Sequence, residues 1–110
     1  MSVSTDKLLN VARRVHTALK AKNLAHSFLG GLEIILLGSS RTTKDVDVEV
    51  KKQMFSVDNL ETIRAAFSDS SLFLVMDGSS DDGFRMLCNA NDDVTSPAEW
   101  VGVDVLSRYA

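Results

Sequence analysis

The chain has 110 residues, one domain's worth, with 45% hydrophobic and 25% charged residues, six Gly and one Pro, a globular composition. The net charge of −3 speaks against nonspecific binding to duplex nucleic acid. No apolar run nears the ~20 residues of a membrane span, and residues 1–7 lack the basic-then-apolar pattern of a secretory signal. The single cysteine, Cys88, excludes an intrachain disulfide and multi-cysteine metal sites, and fits a reducing, cytoplasmic setting. Charge is uneven: residues 1–52 hold nine Lys and Arg against five Asp and Glu, residues 53–110 three against ten. Pairing between the halves accounts for this as well as an anionic ligand would.

In chain order, the first predicted element is a helix over 4–22. Leu8, Val11, Ala12, Val15, Ala18 and Leu19 recur at three- and four-residue steps. Ser4 or Thr5 suits its start, Asp6 its first turn, and Asn23 its end. Residues 25–29 read as a short strand leading into Gly30-Gly31. Residues 32–37, apolar apart from Glu33, suit a short buried helix, although strand is open by composition. A polar loop, 39–44, follows. Residues 45–50, Asp-Val-Asp-Val-Glu-Val, alternate strictly and predict a strand with valines on one face and carboxylates on the other. Residues 58–68 predict a helix, with Asp58 and Glu61 as a capping box and Leu60, Ile63 and Phe67 as its stripe. Strands are expected at 72–76, at 84–88 returning antiparallel, and at 101–106. The turn-rich stretch 77–83 and the polar loop 89–98 separate them. The expected fold class is α+β, one small mixed sheet flanked by helices.

Chemistry concentrates around the alternating strand. Asp45 and Asp47 point to one face, ~6.5–7 Å apart by the strand rise. Two carboxylates so placed suit Mg²⁺ or Mn²⁺, hard cations that take oxygen ligands. Paired metals clamp the entering and leaving oxygens of a displacement at phosphorus. Asp104, a lone carboxylate between Val103 and Val105, is the natural third ligand. Glu49 continues the acidic face. Taken alone, such a strand is more simply the solvated face of a half-buried sheet. Gly30 and Gly31 could bring backbone N–H groups close to a phosphate. In the loop before the strand, Ser39, Arg41 and Lys44 could hold a triphosphate.

Together, Phe28-Leu29-Gly30-Gly31, a spacer of 13 residues and Asp45-Val46-Asp47-Val48 resemble the signature of the nucleotidyltransferase superfamily, the fold shared with DNA polymerase beta. The run Gly38-Ser39-Ser40-Arg41-Thr42-Thr43-Lys44-Asp45 is most similar to small stand-alone members. The resemblance implies a single nucleotidyltransferase-like domain over 1–110, lacking the further C-terminal helices of larger members. It implies transfer of a nucleoside monophosphate from an NTP to a hydroxyl acceptor, whether protein, RNA or small molecule. It assigns the phosphate cradle to Gly30 and Gly31, and the metal to Asp45 and Asp47 with Asp104 as third ligand or activator of the hydroxyl. The alternative is an inactive or truncated module of the same fold that binds a nucleotide or a protein.

The other chemistry-bearing residues read as structural. His16 and His26, ten apart, show no ligand spacing and fit surface or packing positions. Cys88 reads as a small buried hydrophobe, and Trp100 as packing at the head of the last strand.

Overall fold

The computed structural model describes residues 5–29, 45–52, 59–76 and 83–109. Its elements are α1 (Thr5–Ala21), β1 (His26–Leu29), β2 (Asp45–Lys52), α2 (Asn59–Ser68), β3 (Phe73–Val75), β4 (Gly83–Asn89) and β5 (Trp100–Tyr109). The five strands form one mixed sheet in the order β1-β2-β5-β4-β3. β2 and β5 run parallel at its centre, and the other three pairings are antiparallel. The fold is α+β.

Alternation explains how the sheet is layered. On β2, Val46, Val48 and Val50 are fully buried, while Asp45, Asp47 and Glu49 face the other way. On β5 the buried apolar side chains are Val101, Val103 and Val105, placed in register with the β2 valines by Val46↔Val103 and Val48↔Val105. Both helices lie on this valine face. α1 contributes Leu8, Val11, Val15 and Leu19, and α2 contributes Ile63 and Phe67, all fully buried. Phe67 meets Phe73 edge-on at 4.9 Å and Phe84 at 6.3 Å between centroids, an arrangement that adds to the burial of the rings. Cys88 lies in the same core, as expected, and burial pushes its thiol up to about 12. Trp100 is 39% exposed at the head of β5.

The helix ends follow local chemistry. Asn23 adopts φ 59°, its N–H donates to the Lys20 carbonyl at 2.9 Å, and the Leu24 N–H donates to the Leu19 carbonyl at 3.0 Å. This is the paired closure of a Schellman turn, with Asn where the left-handed residue is needed. The polar side of α1 has its own task. Lys7, Asn10 and Arg14, at three- and four-residue steps, reach the segment after β4. Lys7 donates to Asn91 Oδ1 at 2.7 Å and pairs with Glu99 at 2.9 Å. Asn10 donates to the Ala90 carbonyl at 3.0 Å, and Arg14 donates to the carbonyls of Asn89 and Asn91. The loop 89–98, read from sequence only as polar, is thus fastened to the first helix.

β5 is longer than its expected 101–106 because pairing with β2 carries on through Lys52↔Tyr109. The expected helix at 32–37 and the caps at Ser4 and Asp58 lie outside the described residues.

Candidate functional site

Register assembles the site. β2 and β5 pair with Asp47 directly opposite Asp104, and Asp45 opposite Gly102. β4 then sets Arg85 opposite Asp104. One row across the sheet therefore reads Asp47, Asp104, Arg85. Asp45 lies one pleat away on the same face, which is the face turned from the helices. Cross-strand neighbours of this kind stand close enough for their side chains to interact.

The Arg85 guanidinium spans two of the carboxylates. Its Nη1 donates to Asp104 Oδ1 at 2.9 Å and its Nη2 to Asp45 Oδ1 at 3.2 Å. It reaches Asp45 by passing over Gly102. A Cβ built at Gly102 would lie 2.6 Å from Asp45 Oδ1 and against the guanidinium itself. The glycine is needed for this close approach. All three side chains are 40–45% exposed, so each ion pair contributes only about 0.2–1 kcal/mol to stability.

Asp47 is the residue whose charge is least compensated. Partial burial holds its carboxyl above the usual carboxylate value. The Asp104 charge, a hydrogen bond with Asp104 and the Asp45 charge add to the rise, which Arg85 opposes. Arg85 is held above its own usual value, first by its bond to Asp104.

Asp45, Asp47 and Asp104, expected to act together, are thus brought to one face and one neighbourhood. Glu49 continues that face and pairs with Lys51 at 2.8 Å. Gly30, Gly31, Ser39, Arg41 and Lys44 lie outside the described residues. Two participants were missed in the sequence. Arg85 sits between Phe84 and Met86, and alternation alone turns it outward, but its partners depend on the β4–β5 register. Gly102 carried no signal beyond being a glycine in a strand.

The donors are carboxylate oxygens, the set that hard dications such as Mg²⁺ or Mn²⁺ take. Burial first, and then the charges of Asp104 and Asp45, disfavour the ionised Asp47 carboxyl. In chemistry the residues fit such an ion. In arrangement, Arg85 supplies the positive charge, and among the described residues no group of three or more His, Cys, Asp or Glu converges as a metal-binding cluster. No described helix is long and apolar enough to cross a membrane. No family model and no curated protein matches the chain.

Proposed function

We propose that this chain is a metal-dependent nucleotidyltransferase of the cytoplasm, moving a nucleoside monophosphate from an NTP to a hydroxyl acceptor. One observation carries the reading: Asp47 stands opposite Asp104 on adjacent parallel strands, with Asp45 one pleat away on the same face. The spacing of Gly30-Gly31 to Asp45 and Asp47 in the sequence supports it.

In this reading Asp45, Asp47 and Asp104 hold Mg²⁺ or Mn²⁺, and Gly30 and Gly31 contact the phosphates. Ser39, Arg41 and Lys44 bind the triphosphate. The bound cation supplies neutralisation of charge on the transferred phosphoryl group. Asp104 accepts the proton of the acceptor hydroxyl. The hydroxyl oxygen bonds to the α-phosphorus as the α–β bridging bond breaks, and pyrophosphate leaves. Arg85 holds Asp45 and Asp104 in fixed orientation until they are engaged. A second reading, a module that binds a nucleotide or a protein without transfer, is favoured by the same Arg85 bridge, which pairs with two of the three carboxylates.

The deciding experiment adds Mn²⁺ and an NTP to the chain and follows amide line broadening and pyrophosphate release. Broadening centred on 45–47 and 104, with release that falls by about 10²-fold or more in Asp47→Asn, is the expected result. Centred broadening without release favours the binding module. Broadening spread over the acidic residues 92, 93 and 99, with release untouched by the substitution, overturns the enzyme reading.

A further inference from the structure

The turn at Asn23 sends β1 back past the last turns of α1, and two imidazoles ten residues apart meet there. His16 Nδ1 lies 2.9 Å from His26 Nε2, with ring centroids 5.0 Å apart and planes tilted by 56°. The other nitrogen of His26, Nδ1, lies 2.9 Å from the Leu24 carbonyl oxygen. A carbonyl only accepts, so Nδ1 carries the hydrogen. The neutral ring therefore presents its Nε2 lone pair toward His16. Phe28 backs the same ring edge-on at 5.9 Å. An imidazole whose far N–H is tied to a backbone carbonyl is the oriented form that metal-ligating histidines take.

We propose that His16 and His26 chelate a borderline divalent transition metal ion of the Zn²⁺ class, at a site separate from the carboxylates. Metal–nitrogen bonds of about 2.0–2.1 Å require nitrogens about 2.9 Å apart at a right-angle bite and about 3.3 Å apart at a tetrahedral one. The pair already stands at 2.9 Å; chelation requires His16, which is exposed, to swing its Nδ1 off the His26 lone-pair axis at about that separation, so that both lone pairs meet on one ion. His16 Nδ1 donates to His26 in the free pair. When the metal takes that nitrogen, the hydrogen is carried on His16 Nε2 instead, and the neutral pair loses no net proton. The remaining coordination positions open on a cleft of 470 Å³ also lined by Lys20, Asn23 and Phe28. They take water or a small anion, which Lys20 attracts.

Ligand chemistry separates this site from the acidic one. Imidazole prefers Zn²⁺, Ni²⁺ and Cu²⁺, whereas carboxylates suit Mg²⁺ and Mn²⁺. The two sites also occupy opposite faces of the sheet. His26 pairs with Val50 and Phe28 with Val48, residues of the helix-covered face, while Asp47 looks out from the other.

The test is a Zn²⁺ titration of the full chain in chelator-free buffer, read by the imidazole C–H resonances and by calorimetry. One equivalent is expected to shift the resonances of both histidines together, reversibly with EDTA. His16→Ala is expected to lower affinity by roughly tenfold or more, and Asp45→Asn with Asp47→Asn to leave it unchanged. His16 is exposed on a helix where Ala is well tolerated, so that variant decides even if His26→Ala fails to fold. Imidazole resonances unmoved by Zn²⁺, or an affinity indifferent to His16→Ala, would overturn the proposal. Neither outcome depends on nucleotide transfer.

Discussion

Asp47 carries a pH signature that follows from its neighbours. Its carboxyl is raised in the folded chain by burial and by Asp104 and Asp45, so between the ordinary value of 3.8 and its raised value the folded state binds more protons than the unfolded one. Stability from this residue is therefore fully present below 3.8 and is lost as pH rises through the raised value. Asp47→Asn removes the titration. Denaturant melts from acidic to neutral pH are expected to show a shallower fall of stability with pH in the variant. At neutral pH the variant should be as stable as the parent or slightly more so. An unchanged slope would mean that Asp47 is not charge-frustrated. Asp104 was legible as a lone carboxylate between valines, because apolar flanks on a strand leave it one direction to face. Arg85 was not, since alternation gives its face but only the register gives its partners.

Two glycines on neighbouring strands separate what each strand position tolerates. A Cβ at Gly83 would press on the backbone of β5, against the Val105 carbonyl and Leu106 Cα, and backbone there cannot give way without moving the sheet. At Gly102 the obstacle is the tips of Arg85 and Asp45, which can swing aside. Gly83→Ala is expected to cost about 1–3 kcal/mol. Gly102→Ala is expected to cost under about 1 kcal/mol while breaking the reach of Arg85 to Asp45. Chemical denaturation ranks the two, and arginine side-chain NMR reads the bridge. Equal costs would contradict this account. The elements themselves were readable where one period ran long enough: α1 from its apolar stripe, β2 from its strict alternation. The end of β5 was not, because Ser107 and Arg108 interrupt the apolar run while backbone pairing with β2 continues. The fastening of loop 89–98 by Lys7, Asn10 and Arg14 was also hidden, since a polar helix face looks the same whether it meets water or a distant loop.

For the whole molecule, the single thiol reports on the integrity of the core. Cys88 is fully buried, and burial raises its thiol to about 12, so at neutral pH it is a thiol rather than the reactive thiolate. An aromatic disulfide reagent is expected to react with the native chain only as fast as the core opens, and to react at once in denaturant. Immediate stoichiometric reaction in buffer would show that the sheet does not cover it. The uneven charge along the sequence also resolves at this scale. Lys7 pairs with Glu99 across the two halves, and Arg85 of the acidic half pairs with Asp45 of the basic one, so part of the asymmetry is consumed in joining them.

The order of strands sets a schedule for synthesis. Among the described strands β5 comes last in the sequence, yet it lies between β2 and β4. As the chain emerges from a ribosome, β1 with β2 and β3 with β4 can form two hairpin-like pairs, but among the described strands none bridges them until residues 100–109 arrive. The pairing of Asp47 with Asp104 spans 57 residues, a closure that favours late, cooperative completion over stepwise growth. A nascent chain stalled before Trp100 would hold two half-sheets with open inner edges, the state most exposed to chaperone capture and to pairing with another copy. The same last strand that brings Asp104 to Asp47 is the one whose arrival ends that exposure.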